Sequence, residues 1–308
     1  MPELPEVETI ARTLAVDVES RLILAVEVAD ESAVAPGSNP SGAEATGAEA
    51  FRQLVLGRRI ARVHRRGKLL LLALQASGGK DGGVVAVHLR MTGRVLFLHA
   101  GETPLRPRVV LSLSARSAEP GQGPALLVFS DVRRFGRMLA FAPGAGPGSL
   151  DAWPFYRDLG PEPLEMTAQE FRQRLAHPGK KGQGGRRSTA RIKALLLDQG
   201  VIAGIGNIYA DEALFRAGIR PAAAAGSLSA RRLDRLFAAI QAVLIQAIAE
   251  NGSSIRDYRD AHGDAGAFQN HFRAYGRGGR PCLDCGALMQ AMRVAGRSST
   301  FCPRCQAT

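Results

Sequence analysis

The chain has 308 residues, 45% of them hydrophobic, and 40 Lys and Arg against 28 Asp and Glu give it a formal net charge of +12. That length predicts two domains, or two plus a small module, and the charge selects a polyanionic partner, because a strongly basic field concentrates phosphate. No apolar run approaches the ~20 residues that span a bilayer, and the start lacks the order of a secretory signal, so a cytoplasmic, non-membrane protein is expected.

The chain opens MPELPEVETI, a stretch with two compatible readings. A small residue at position 2 invites removal of Met1, which would leave Pro2 with a free secondary amine beside the Glu3 carboxyl, a candidate nucleophile next to a candidate proton donor. Pro5 also suits the first position of a helix, and Glu6 and Glu8 suit its first turn, where carboxylates face the positive end of the dipole. Val7, Ile10, Ala11 and Leu14 follow helical spacing, so the terminus is expected to be tied to a packed helix.

From about residue 22 to 142 the pattern is LILAVEV, RIARVHRR, KLLLLAL, VVAVHLR, RVLFLH, RVVLSLS, ALLVFS and RMLAFA. Eight short apolar runs with Gly- and Pro-bearing connectors such as SGGKDGG and SAEPGQGPA predict an all-β sandwich or flattened barrel. ESAVAPGSNPSGAEATGAEA (31–50) has almost no bulky apolar residue and reads as a mobile insertion. APGAGPGSL and GPEPLE, around 143–165, mark an inter-domain linker. Helical signals follow, beginning with the capping box of Thr167 and Glu170. STARIKALLLDQG predicts a helix ending at Gly200, and another runs from near Asn207 to Gly218. A long amphipathic helix from about Ser229 to Glu250 sets Leu233, Leu236, Phe237, Ile240, Val243, Leu244 and Ile248 on one stripe before the Asn251-Gly252 stop.

Between two of these helices, GVIAGIGNIYADE combines the conformational freedom of Gly204 and Gly206 with a helix start at Asn207 whose N–H groups point outward, a geometry that binds phosphate. A G-x-G turn alone is weak. Here Lys180, Lys181, Arg186, Arg187, Arg191 and Lys193 lie immediately upstream, although a charge run is more often only a solvated face. VHLRMTGR and SDVRRFGR set basic residues beside apolar ones, and Met91, Arg133 and Phe135 form a candidate wedge that enters a duplex and fills the gap left by an extruded nucleotide. The competing reading is ordinary core. Lys68, in RRGKLLLL, opens a strand, where a lone lysine is most often a solvated edge residue. All four cysteines, Cys282, Cys285, Cys302 and Cys305, fall in the last 27 residues with the spacing of a four-thiolate zinc site on two tight turns. Two disulfides in a small tail would fit poorly with a cytosolic chain.

PELPEVET, RRGKLLLL, HLRMTG, DVRRFG, LGPEPL, GIGNIYADEALFRAGI and YGRGGRPC…C…RSSTFCPRC run from end to end in the order found in formamidopyrimidine-DNA glycosylase, the bacterial repair family for oxidised purines, which the chain resembles. The resemblance implies an α+β multidomain fold that holds DNA between two lobes. Its parts are an N-terminal helix and β-sandwich over 1–142, a linker over 143–165, a helix-two-turn-helix DNA-binding domain over 166–262, and a lid loop with a C-terminal zinc finger over 263–308. The lid is GDAGAFQNHF (263–272), expected to be flexible over the extruded base.

By the same resemblance Pro2 is the nucleophile, Glu3 the acid that assists base loss, Lys68 an elimination residue, and Arg297 a phosphate contact that assists the last elimination. Lys193 and Asn207 are phosphate ligands, with Arg187 in the same basic approach, and Met91, Arg133 and Phe135 fill the void, Arg133 facing the orphaned base. One structural zinc ion on the four cysteines is implied, with duplex DNA carrying oxidised bases as partner and a monomer at the nucleoid. Where the family commonly shows His-Asp-His before a strand, this chain reads RPRVV, which gives that DNA contact to Arg106.

The chemistry accounts for the opening dipeptide. An α-amino group, with a reference pKa of ~7.7–8.0, is largely available near neutrality, whereas a lysine near ~10.4 must first be perturbed. Glu3 is adjacent because opening the sugar ring and expelling the base both need a proton donor within reach. Two rivals share features: an endonuclease VIII-like glycosylase for oxidised pyrimidines, and a non-catalytic DNA-binding protein. PELPEV and the separate Met91 and Arg-x-Phe residues favour the purine enzyme over the first, and Pro2, Glu3, Lys68 and Arg297 together argue against the second.

Overall fold

Pro5 in the first turn and apolar residues spaced by three and four make α1, Leu4–Val18, in the computed structural model, which describes residues 1–34, 47–116, 123–146, 148–176, 188–255 and 258–307. Glu3 is its N-cap, in extended conformation, and forms a capping box with Glu6. The eight expected strands follow as β1 Ile23–Val28, β2 Arg59–Arg66, β3 Leu69–Gln75, β4 Asp81–His88, β5 Gly93–His99, β6 Pro107–Leu113, β7 Ala125–Asp131 and β8 Arg137–Phe141. They form two four-stranded antiparallel sheets, ordered β2-β3-β4-β8 and β1-β6-β7-β5. Leu70, Leu72, Val85 and Val87 from one sheet and Val109, Leu111, Leu127 and Phe129 from the other share a core with Val7, Ile10, Leu14 and Val18 of α1.

The expected insertion over 31–50 is only partly visible, because residues 35–46 lie outside those described. Its ends are structured: Glu31–Ala33 is a 3-10 turn capped by Asp30, and α2, Ala48–Val55, buries Phe51 and Val55. No helix had been expected there, since its first turn consists of small and charged residues.

The described residues fall into two units, 1–158 with 251–266 and 159–250 with 267–308. They divide the chain at 158/159, 250/251 and 266/267, where the expected boundaries were 142/143, 165/166 and 262/263. Residues 143–158 do not behave as a free linker, because Trp153 packs at 5.3 Å on Phe141 and at 4.9 Å on Phe155 (from the short helix α3, Pro154–Arg157), and Phe155 stacks at 5.6 Å on His88. Residues 251–266, read as the end of the helical domain and the start of a lid, return to the sandwich. Tyr258 and Ala261 are buried in its core, and the Phe97 amide donates to the Ala261 carbonyl at 2.9 Å.

The second unit holds α4, Ala168–Ala176, begun by the expected Thr167–Glu170 box; α5, Ile192–Leu197; α6, Asn207–Ala217; and α7, Ala230–Ala249. α5 stops three residues before Gly200, because the Asp198 carboxylate turns back to accept from the Gly200 amide. Gly218 ends α6 in the left-handed conformation, and Ser229 caps α7, whose Leu236, Phe237, Ile240, Val243 and Leu244 are buried. The lid splits, its second half packing in this unit: Phe268 is buried and stacks 5.5 Å from Tyr209. β9, Gln290–Val294, and β10, Arg297–Phe301, make an antiparallel hairpin whose Ala295 and Gly296 both have positive φ, as a two-residue turn of this hand requires. Among the described residues no helix is long and apolar enough to cross a membrane.

Candidate active site and nucleic-acid contacts

The N-terminus is anchored by one buried carboxylate. Glu6 Oε2 accepts from the Glu3 amide at 2.8 Å, and Oε1 accepts from the Ser253 amide at 2.7 Å and the Ser253 hydroxyl at 2.9 Å. Between these groups Gly252, at φ +77°, approaches so closely that a Cβ would lie 2.9 Å from Glu6 Cγ. The Tyr258 hydroxyl donates to the Glu6 carbonyl at 3.3 Å, and burial, reinforced by the Glu6 charge, pushes its pKa well above the usual phenol range, so it stays a donor. Pro2 and Glu3 are therefore buried and fixed, while Met1 is 46% exposed.

Lys68 is 8% exposed, contrary to the solvated-edge reading. The turn before it is tied to α1 by Arg65, which donates to Glu8 at 3.0 Å and to the Gly67 carbonyl at 3.1 Å. Glu8 is held below its ordinary pKa: burial alone would raise it, and the hydrogen bonds from Arg12 and Arg65 outweigh that. Burial, then Arg90, then Lys68 depress the pKa of His88 to about 3, so its neutral ring accepts from the Arg90 amide at 3.0 Å. Sequence reasoning assigned no role to Arg65 or His88. Each sits inside a quoted basic motif and differs from its neighbours only in what it touches.

The candidate wedge assembles within the same unit. Arg133 donates to the Met91 sulfur at 3.2 Å and its guanidinium lies 4.9 Å from the Phe135 ring centre, with Met91 43% and Phe135 51% exposed. Large apolar side chains left this open to solvent are not core. Their loops share one organiser that the sequence did not reveal, the buried Asp131, which accepts from the Thr92 hydroxyl beside Met91, from the Arg133 amide at 3.1 Å and from the Gly136 amide at 2.6 Å. Arg90 and Arg134, flanking the wedge, both carry positive φ, a strain that binding loops commonly store. Asp30 accepts from Arg134 and from Arg108, each at 2.9 Å, and its pKa falls to about 2: burial raises it, but Ser32 and Arg108 lower it further. Arg106 is exposed, also at positive φ, just before β6.

In the second unit, Gly204 has φ +89° and Gly206 caps α6 at Asn207, the turn expected to meet phosphate. The Asn207 side-chain Nδ2 donates to the Ser298 carbonyl at 3.0 Å. Lys193 departs from its expected role: it is fully buried, with Nζ 2.6 Å from Asp211 Oδ1 and 3.1 Å from the Ser298 carbonyl. With its charge committed to a carboxylate inside the protein, it presents nothing to a phosphate. Arg187, with Lys180, Lys181 and Arg186, lies outside the described residues. Arg297 is exposed at the start of β10.

The four cysteine sulfurs lie within 4.8 Å of one another. Cys282 and Cys305 are 3.9 Å apart and Cys285 and Cys302 3.5 Å, far beyond a disulfide bond of ~2.05 Å but near the ~3.8 Å edge of a tetrahedron with 2.3 Å zinc–sulfur bonds. Amides of Asp284 and Cys305 point at the sulfurs of Cys282 and Cys302, the usual outer support of a thiolate site. Burial, with the neighbouring sulfurs, pushes the Cys305 thiol far up, a penalty that a bound cation removes. The residues fit one structural zinc ion, as the spacing predicted.

Three family models match in chain order: the formamidopyrimidine-DNA glycosylase N-terminal domain over residues 1–138, its H2TH domain over 159–259, and the zinc finger found in FPG and IleRS over 279–308. Formamidopyrimidine-DNA glycosylases of Nitratidesulfovibrio vulgaris and Desulfitobacterium hafniense are 41% and 42% identical, each match covering 99% of this chain and all of the relative. Among solved structures, the Lactococcus lactis FPG mutant G226P with Fapy-dG-containing DNA is 31% identical with a TM-score of 0.80 over the whole of both chains. The L. lactis Fpg complex with abasic-site DNA is 31% identical (TM-score 0.79, 99% of this chain and all of that one), and a complex with oxidised-pyrimidine DNA is 30% identical (TM-score 0.79, all of both chains). On the match of all three modules in order and of whole relatives end to end, the chain belongs to the formamidopyrimidine-DNA glycosylase family.

Proposed function

We propose that this enzyme removes oxidised purines, 8-oxoguanine and formamidopyrimidines, from duplex DNA and then nicks the abasic site by β,δ-elimination through a Schiff base on Pro2. The observation that carries the reading is the N-terminus itself, where a buried Pro2-Glu3 pair is fixed by Glu6 next to a strand turn that carries a buried lysine. Such rigidity has no use for a terminus that does no chemistry.

Loss of Met1 frees the Pro2 nitrogen, which bonds to C1′ as the bond from C1′ to the base breaks. Glu3 supplies the proton needed to open the sugar ring and release the base. The resulting iminium acidifies the C2′ proton; its removal expels the 3′-phosphate, and a second elimination expels the 5′-phosphate. Lys68 serves these proton transfers, and Arg297, with the turn at Asn207, holds phosphate. The base is reached by extrusion, which costs a few kcal/mol, and Met91, Arg133 and Phe135 offset that by filling the vacated stack. The zinc ion contributes structure only, fixing the hairpin that carries Arg297. Duplex DNA is the partner of a monomeric cytoplasmic enzyme.

A panel of duplexes with one defined lesion each tests the substrate class. Expected are efficient excision of 8-oxoguanine opposite cytosine and of ring-opened purines, and poor cutting of 8-oxoguanine opposite adenine, because the donors of Arg133 suit the acceptor edge of an orphaned cytosine. The L. lactis complex with an oxidised pyrimidine makes some pyrimidine excision compatible with the reading. Preference for thymine glycol with little action on oxidised purines would instead favour the endonuclease VIII-like assignment.

A further inference from the structure

The burial of Lys193 raises the question of what a strongly basic chain gains by hiding a lysine. Its partner Asp211 faces two ways from α6: Oδ1 takes the Lys193 ammonium at 2.6 Å, and Oδ2 accepts the Thr300 amide of β10 at 3.2 Å. Lys193 also donates to the Ser298 carbonyl, which Asn207 reaches as well. Three contacts therefore fall on Ser298 and Thr300, in the strand directly after Arg297. The next residue of α6 grips the other end of the module, because the buried Glu212 carboxylate accepts from the amides of Arg273 (3.0 Å), Ala274 (2.9 Å) and Tyr275 (2.8 Å), which lead into the zinc module. One turn further on, Phe215 joins the buried cluster of Cys282, Met289 and Cys302. None of the polar contacts involves a thiolate.

We propose that Lys193 and Asp211, which hold β10 against α6, and Glu212, which holds residues 273–275, form a positioning device that aims the Arg297 guanidinium at phosphate, independently of the zinc ion. The physical reason is that among its apolar side chains the hairpin buries only Val294 and Phe301, and zinc fixes its base but not the direction of the strand leading out of Arg297. A buried ion pair is a poor source of net stability but a directional one, since breaking it strands a charge in the protein interior. Displacement of a guanidinium by an ångström loses its phosphate contact, so Lys193 governs DNA binding without touching DNA. The inference rests on the proposed role of Arg297 as a phosphate contact.

The test is the salt dependence of affinity for a duplex with a non-cleavable abasic analogue, measured for the intact protein, Lys193→Met, Arg297→Ala and the double variant, each with zinc content and folding checked. A single phosphate contact contributes about one to the slope of log affinity against log salt. The positioning role predicts that Lys193→Met and Arg297→Ala each lower the slope by about one, that the double variant lowers it no further, and that Lys193→Met cuts strand cleavage by about a hundredfold at unchanged zinc content. A fall of about two in the double variant would mean that Lys193 meets its own phosphate and overturns the proposal. An unchanged slope in Lys193→Met overturns it as well. If Arg297→Ala alone leaves the slope unchanged, the role of Arg297 fails first, and the inference with it. Should Lys193→Met fail to fold, Asp211→Asn, which keeps an acceptor for the Thr300 amide but removes the charge, is put through the same comparison, with the same expected and overturning slopes.

Discussion

The two units fix their working groups by different means. In the first, Pro2, Glu3 and the wedge residues are set on a sandwich whose apolar core is continuous with α1, so buried carboxylates such as Glu6 and Asp131 only adjust loops that already rest on a rigid base. In the second, the buried cluster beside the hairpin that bears Arg297 has five residues, Phe215, Ala274, Cys282, Met289 and Cys302, two of them cysteines, and the module is held by thiolates and by the carboxylates of α6. Where apolar area is scarce, directional bonds take over the positioning. The first unit should therefore tolerate the loss of any one polar contact with its fold intact, whereas the second should fail as a module.

Metal removal gives the largest expected effect. Structural zinc contributes about 10–16 kcal/mol in small finger modules, far more than the hairpin's apolar contacts can replace. Chelation, or Cys302→Ser, is expected to abolish DNA binding while circular dichroism and thermal unfolding of the sandwich remain unchanged. Undiminished affinity after verified metal loss would remove the zinc module from the account.

Next in size is Glu6→Leu. It strands the Glu3 amide and both Ser253 donors, at a cost of about 3 kcal/mol by urea unfolding, with zinc content unaffected. Excision should fall more than DNA affinity, because Glu6 positions the Pro2-Glu3 pair and not a phosphate contact. Equal losses in both would show that the anchor serves only stability.

The smallest effect is a titration. The folded pKa of His88 is depressed to about 3 from 6.5, so the native state favours the neutral ring. That stability is fully present above pH 6.5 and is lost as pH falls toward 3, a loss that reaches about 1.4 kcal/mol by about pH 5.5. His88→Gln should flatten this part of the stability–pH curve, and an unaltered curve would show that the ring is more solvated than its contacts indicate.

Much of this contrast was legible in the sequence, and the illegible part has a common cause. Strands announce themselves in local runs such as KLLLLAL, and the zinc site in cysteine spacing, because the physics that specifies them acts over a few residues. The anchor of the N-terminus spans 247 positions from Glu6 to Ser253, which no periodicity records, and for the same reason the return of 251–266 to the sandwich was missed. Lys193 was expected as a phosphate ligand, from the family resemblance and its basic neighbours. What buries it is Asp211, 18 residues on, which in NIYADE reads as an ordinary helical acid. Asp131 was hidden in the same way inside a motif that seemed basic. The proposed catalytic dipeptide could be singled out because its two groups are adjacent in sequence, but its rigidity could not.

Borohydride trapping is the sharpest test of the proposal that the Pro2 nitrogen, freed of Met1, is the nucleophile. With a duplex carrying an abasic site, reduction should leave the protein covalently joined to the strand, with the adduct mapping to residue 2 by mass analysis. One extra residue inserted between Met1 and Pro2 should abolish both trapping and strand cleavage, since proline within a peptide bond has no basic nitrogen, while affinity for an abasic analogue persists. Normal strand cutting by that extended protein, its added residue confirmed by mass, would contradict the account and make Lys68 the nucleophile.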